Sequence, residues 1–285
     1  MTMRTVERLV RAMEVSEGAG VTVHRTIGTP ALRHLDPFLM LDHFGSDDPG
    51  QYIAGFPAHP HRGFITLTYM LDGHMRHEDS MGNRGDLGPG GAQWMKAGSG
   101  VIHSEMPQQT DGLMRGFQLW INLPAREKMS DPAYQEFAAE AIPVVSGNSA
   151  TTRILCGGLN GVEGPIRDSS TGVSYVDVEL APRQVFTQSL PTAHAAFVNV
   201  FEGSARIGET QLPKHHLAVL GKGDEVALTA GADGARFILV AGAPIREPIV
   251  QHGPFVMNSR EEIEQAMRDY RDGRLVKKRA AVESA

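Results

Sequence analysis

The chain has 285 residues, enough for one large domain or two of moderate size, and its net charge of −6 offers nothing to a phosphate backbone or an acidic membrane. The single cysteine, Cys156, excludes an intrachain disulfide and fits a reducing compartment. No run reaches the roughly 18 apolar residues of a membrane-spanning helix, and the charged segment 1–17 lacks the apolar core of a secretory signal, so a cytoplasmic location is expected.

Short apolar segments broken by Gly and Pro indicate many strands joined by turns. In Ile65-Thr66-Leu67-Thr68-Tyr69 the odd positions are apolar and the even ones polar. Phe117 to Leu123 repeats the pattern, and weaker strand signals follow at 175–180, 197–201, 217–220 and 236–240. Turn signals at Leu71-Asp72-Gly73, Gly88-Pro89-Gly90-Gly91, Phe201-Glu202-Gly203 and Gly221-Lys222-Gly223-Asp224 separate them, which predicts an all-β, antiparallel sandwich or barrel. A short helix is expected over 132–140, capped by Ser130 or Asp131. A clearer one follows Ser259-Arg260-Glu261-Glu262, a capping box, with Ile263, Ala266, Met267 and Tyr270 on one face and Gly273 as the stop. The stretch 142–152, polar and containing Gly and Ser, reads as a linker between two lobes, 1–141 and 142–285.

A weak internal repeat supports two lobes. Residues 69–73 match 199–203 at an offset of 130, and 97–100 match 220–223 at an offset of 123. Two pairs of residues in the first lobe could bind a metal, His59-Pro60-His61 and His103-Ser104-Glu105. Their i, i+2 spacing places both members of a pair on one face of a strand. Two such strands facing each other bring three imidazoles and a carboxylate to one point, a set suited to a first-row divalent ion with open positions: iron(II), manganese, nickel or copper, with zinc also compatible. The parity of His59 and His61 continues into Ile65, Leu67 and Tyr69, so the histidines are expected to face the same interior as that stripe, unless a bulge at Gly63 breaks the parity. The repeat carries the four positions onto Ser189, Pro191, Val226 and Leu228, which predicts a second lobe without a metal site.

The remaining histidines (His24, His34, His43, His74, His77, His194, His215, His216 and His252) read as surface or hydrogen-bonded residues. There is no Gly-x-Ser-x-Gly nucleophile elbow, and Gly88-Pro89-Gly90-Gly91 lacks the Lys-Ser/Thr of a phosphate loop. The Met-rich stretch 70–114 reads as core filling and Cys156 as a small buried side chain.

Longer motifs carry a family likeness. Gly55-Phe56-Pro57-Ala58-His59-Pro60-His61-Arg62-Gly63-Phe64 and Gln93-Trp94-Met95-Lys96-Ala97-Gly98-Ser99-Gly100-Val101-Ile102-His103-Ser104-Glu105-Met106-Pro107 closely resemble the pirin family of the cupin superfamily. So do Leu35-Asp36-Pro37-Phe38-Leu39 and Gln251-His252-Gly253-Pro254-Phe255-Val256-Met257-Asn258. The resemblance runs from about residue 5 to about 275. It implies a bicupin, two β-barrel or jelly-roll lobes with a short C-terminal helix. One metal, commonly iron, would sit in the N-terminal lobe on the residues matching His59, His61, His103 and Glu105. It further implies a quercetinase-type dioxygenase that cleaves a flavonol with dioxygen, with Glu105 as general base; the alternative is a non-enzymatic, iron-dependent regulator read by a protein partner. Ile65 departs from the usual pirin Arg-Gly-Phe-Glu run, where Glu holds that place. The retained Glu105 leaves the implied ligand set complete.

Overall fold

The computed structural model describes residues 2–147 and 149–277. The chain forms two compact units, neither of them a contiguous half. One comprises Met1–Met13, Thr26–Pro37 and Glu140–Pro244; the other comprises Glu14–Arg25, Phe38–Ala139 and Ile245–Ala285. A division near residue 141 is present, but relative to lobes 1–141 and 142–285 each end of the chain belongs to the other unit.

The first unit is built on a nine-stranded sheet. Its main path runs Val6–Arg11, His216–Leu220, Ala195–Ile207, Glu225–Gly242, Ser174–Leu180, Ala150–Cys156 and Val144–Ser146. Arg4, just before the first of these strands, is buried and donates to the carbonyls of Gly223 (2.9 Å), His194 (3.0 Å) and Pro191 (2.7 Å), which ties the N-terminus to the unit. The segment 142–152 is not a linker. Val144–Ser146 and Ala150–Cys156 form an antiparallel hairpin with Val144 opposite Arg153 and Ser146 opposite Thr151, and the Gly and Ser that suggested a linker mark its turn. The interior is apolar, with Ile154, Val176, Val198, Phe237 and Leu239 packed in one cluster. Val226 and Leu228, two of the positions the repeat equates with ligands, are buried in that same cluster.

The second unit contains two sheets. Seven strands run in the order Ala133–Phe137, Ala92–Lys96, Phe64–Asp72, Met114–Asn122, Phe38–Ser46, Val21–Ile27, Met13–Glu17. Four more run Phe56–His61, Val101–Pro107, Met75–Asp79, Arg84–Leu87. Side chains from the two sheets meet in an interior that is partly apolar, where Met70, Met75 and Met114 pack with Val23, Phe44 and Leu87, and partly polar. The helix expected over 132–140 is instead an edge strand, Ala133–Phe137. It pairs with Ala92–Lys96 from Ala133 opposite Lys96 to Phe137 opposite Ala92, because an open sheet edge outweighs a weak local helix preference.

The histidine strand and the stripe that follows it do not share a face. Gly63, at φ 88°, breaks the chain between Phe56–His61 in one sheet and Phe64–Asp72 in the other. Only glycine fits there, since a Cβ would collide with the Val256 carbonyl. After the break the even residues face the polar interior, as the Thr68 contact with Glu105 shows, while Ile65, Leu67 and Tyr69 are buried on the opposite face of the sheet.

The C-terminal helix spans Arg260–Arg271 with the expected capping box between Ser259 and Glu262. Ile263 and Ala266 are buried against Phe255, Met257 and Leu275, whereas Met267 and Tyr270 stay 44% exposed, so only part of the apolar stripe packs. Its Asp269 pairs with the buried Arg62 at 2.8 Å, directly beside His61 in sequence. Among the described residues no helix is long and apolar enough to cross a membrane.

Candidate metal centre

All four residues singled out in the sequence lie in the second unit, on two neighbouring antiparallel strands. Phe56–His61 pairs with Val101–Pro107 so that His59 stands opposite His103. The i, i+2 spacing then puts His61 and Glu105 on the same face as that pair. The ring centroids of His59, His61 and His103 lie 4.4 to 4.9 Å apart, and the Nε2 atoms of His59 and His61 approach to 3.1 Å.

The hydrogen bonds fix which nitrogens are available. His59 Nδ1 donates to the Pro57 carbonyl at 2.8 Å, which leaves its Nε2 lone pair facing His61. His103 Nε2 is buried without any hydrogen-bond partner. Burial, with neighbouring imidazoles adding to it, holds the His61 and His103 pKa values well below the ordinary 6.5, and the Pro254 carbonyl opposes this at His61. The buried imidazoles of His61 and His103 beside the His59 Nε2 lone pair, with His103 Nε2 left without a partner, match the needs of a divalent metal.

Glu105 is 2% exposed and is held from three sides. Its Oε1 accepts from Thr68 Oγ1 (3.0 Å) and Gln93 Nε2 (2.9 Å), and its Oε2 accepts from Gln118 Nε2 (2.9 Å). Both amides donate, and the single Thr68 hydroxyl hydrogen is shared between Glu105 Oε1 and Gln118 Oε1 (2.9 Å), so the carboxylate meets donors on both oxygens and Oε2 keeps a lone pair for a further partner.

The four residues do not form a single tight cluster. His59, His61 and His103 make one group with ligand atoms within 4.8 Å of one another; Glu105 joins a second such group with His103 and His77. His77, read from the sequence as an ordinary surface or hydrogen-bonded histidine, is 1% exposed and belongs to the site. A signal for it was present, because His77-Glu78-Asp79 repeats the i, i+2 spacing of the other two pairs. Tyr134 stacks on His77 (centroids 4.7 Å, 24°), and its hydroxyl lies 3.1 Å from Gln93 Oε1 and bonds to the Glu136 carboxylate. Gly85 makes room for this packing, since a Cβ there would strike both Glu136 and the Tyr134 hydroxyl.

The walls of the site are deeply buried, but His59, Gln118 and Trp120 are half-exposed and mark its open side. Trp120 packs edge-on to His61 at 5.1 Å and against Phe64 at 4.2 Å, an aromatic surface next to the imidazoles.

The pirin family model matches residues 20–121 and the pirin C-terminal cupin domain matches 175–276. A pirin-like protein of Caulobacter vibrioides is 47% identical over 276 residues, covering 96% of this chain and 100% of that one. The chain belongs to the pirin family. This pirin is also 47% identical over 278 residues to a Pseudomonas aeruginosa protein provisionally named a quercetin 2,3-dioxygenase, with 95% and 97% of the two chains covered. A crystal structure of quercetin 2,3-dioxygenase from Acinetobacter baumannii superposes with a TM-score of 0.89 at 31% identity, covering 96% of this pirin and 98% of that chain. The two-cupin, mostly stranded architecture implied by the motifs is thus established for this pirin.

Proposed function

We propose that this pirin is a metal-dependent dioxygenase that opens a flavonol such as quercetin with dioxygen. The observation that carries the reading is the buried, partnerless His103 Nε2 beside the His59 and His61 Nε2 pair, with Glu105 on the same strand as His103. His59, His61, His103 and Glu105 would hold the metal, iron(II) in this reading. When bound, it would supply Lewis acidity toward a phenolic hydroxyl and redox chemistry with dioxygen. The two named dioxygenases similar to this pirin support the substrate class.

The protein's own contribution follows from the contacts. Glu105, ligated or swung free, takes the proton of the flavonol 3-hydroxyl as general base; the one uncommitted lone pair, on Oε2, serves either the metal or the proton, while Thr68, Gln93 and Gln118 hold the carboxylate. Trp120, at the open side, offers a flat face that aligns the aromatic rings of the substrate. The buried imidazole wall keeps bulk water from the reacting groups. The test is metal analysis of the purified protein joined to a quercetin assay on the same sample. Carbon monoxide and a depside should form in proportion to bound metal; metal-loaded protein that yields neither would rule out the quercetinase reading.

A further inference from the structure

We infer that His77 is a positioning residue that fixes the tautomer of His103, holding the hydrogen on His103 Nδ1 so that the Nε2 lone pair faces the metal. This rests on the metal reading of the site given above. On the paired strands Met75–Asp79 and Val101–Pro107, His77 stands opposite Glu105 and Asp79 opposite His103. The His77 and His103 rings lie 5.2 Å apart and their Nδ1 atoms meet at 3.4 Å, so one nitrogen of that pair must carry a hydrogen and the other a lone pair.

Asp79 settles which. Its Oδ1 accepts from the backbone N–H groups of Met81 (2.8 Å) and Asn83 (3.0 Å), and its Oδ2 accepts from Asn83 Nδ2 (2.9 Å). Every contact to this carboxylate is a donor, so His77 Nε2, 3.3 Å from Oδ2, donates as well. His77 Nδ1 is then the acceptor. Gln93 Nε2 has two hydrogens and lies nearer to Glu105 (2.9 Å) and Thr68 (3.3 Å) than to His77 (3.4 Å). His103 Nδ1–H is left as the donor to His77, which accounts for the bare Nε2 on its far side. The stack with Tyr134 keeps the His77 ring in plane for this bond, and Gly85, opposite His77 on the adjacent strand, leaves the space for Tyr134. The chain from Asp79 through His77 to His103 is the kind of outer support that orients a ligating imidazole.

The test reads the tautomer directly. In metal-free protein with labelled histidine, at about pH 8, above the unperturbed imidazole value, nitrogen NMR should show His103 as Nδ1–H. Finding Nε2–H in the wild-type protein overturns the inference, and that measurement needs no variant to fold. His77→Phe keeps a ring under Tyr134 but accepts no hydrogen bond, so nickel(II) affinity, measured by chelator competition, should fall about 10–100-fold. His77→Gln, whose amide oxygen can accept, should recover most of that loss. Equal affinity in wild type and His77→Phe would overturn the positioning role. Absence of nickel(II) binding by the wild type itself would instead overturn the metal reading, so the two failures are separable.

Discussion

At the scale of single residues, Glu105 is fixed by what its neighbours donate. In Glu105→Gln one oxygen becomes an NH2 group facing a donor amide, and the half-exposed Gln118 can turn to accommodate it more readily than the buried Gln93. The fold should therefore persist, with a melting temperature close to wild type, while turnover of quercetin falls about 10²–10⁴-fold through loss of the base. Unchanged turnover would remove Glu105 from the chemistry. His61 and His103 predict a pH effect. Their folded pKa values lie well below 6.5, the value the unfolded chain regains. Between the folded value and 6.5 the unfolded state binds more protons, so stability rises with pH across that window. Metal-free protein should become less stable as pH falls through 6.5, and the loss should level off once pH passes below the folded values. Urea midpoints between about pH 8 and 5 measure this; a flat profile would mean that the imidazoles are not desolvated as their burial indicates.

At the scale of strands, the buried Lys128 links segments around the site. Its Nζ donates to the carbonyls of Gly63 (2.9 Å) and Val256 (3.0 Å) and to Asn122 Oδ1 (2.7 Å), joining the break after the histidine strand to two other strands. Lys128→Met should fit by shape yet leave these three acceptors unpaired, and we expect a loss of about 2–5 kcal/mol in chemical denaturation. A loss within error would show that water replaces the ammonium group. The same strands show what the sequence revealed and what it hid. Alternation in 65–69 and 117–123 correctly marked strands, but the polar even positions that suggest a solvent face are the interior of the site: Thr68 and Gln118 hold Glu105, and Trp120 flanks His61. Strands buried on both faces defeat the rule that the apolar side is the inner one. The two candidate ligand pairs were legible because both partners are local, at i, i+2. Gln93, Thr68 and Tyr134 come from other strands, so only the folded register gathers them. The edge strand Ala133–Phe137 was likewise invisible to local propensity, because what stabilises it is its pairing with Ala92–Lys96.

At the scale of the whole chain, the exchange of ends makes each unit depend on residues from the far half of the sequence. Val6–Arg11 pairs with His216–Leu220 from Leu9 opposite Ala218 to Arg11 opposite His216, and without it a strand carrying the buried Ala218 and Leu220 becomes an open edge. In the other unit, losing the C-terminal helix strips the cover from Phe255 and Met257 and takes Asp269 from Arg62. Arg62 is 2% exposed, and a buried guanidinium without its carboxylate costs about 3–5 kcal/mol, next to the ligand candidate His61. Asp269 depends on Arg62 in turn: burial raises its pKa, but bonds from Arg62 and Gln265 more than offset this and hold it below the ordinary 3.8, so its contribution to stability is full above that value and is lost as pH falls through the lower folded value. Fragments 1–141 and 142–285 produced separately should therefore fail to give cooperative melting transitions, and the first should bind metal weakly despite containing His59, His61, His103 and Glu105. Co-expression should restore both properties, because the missing strand and helix are then supplied in trans. A fragment 1–141 that melts cooperatively and binds metal like the full chain would show that the helix only covers the unit, and that Arg62 finds another counter-charge when Asp269 is gone.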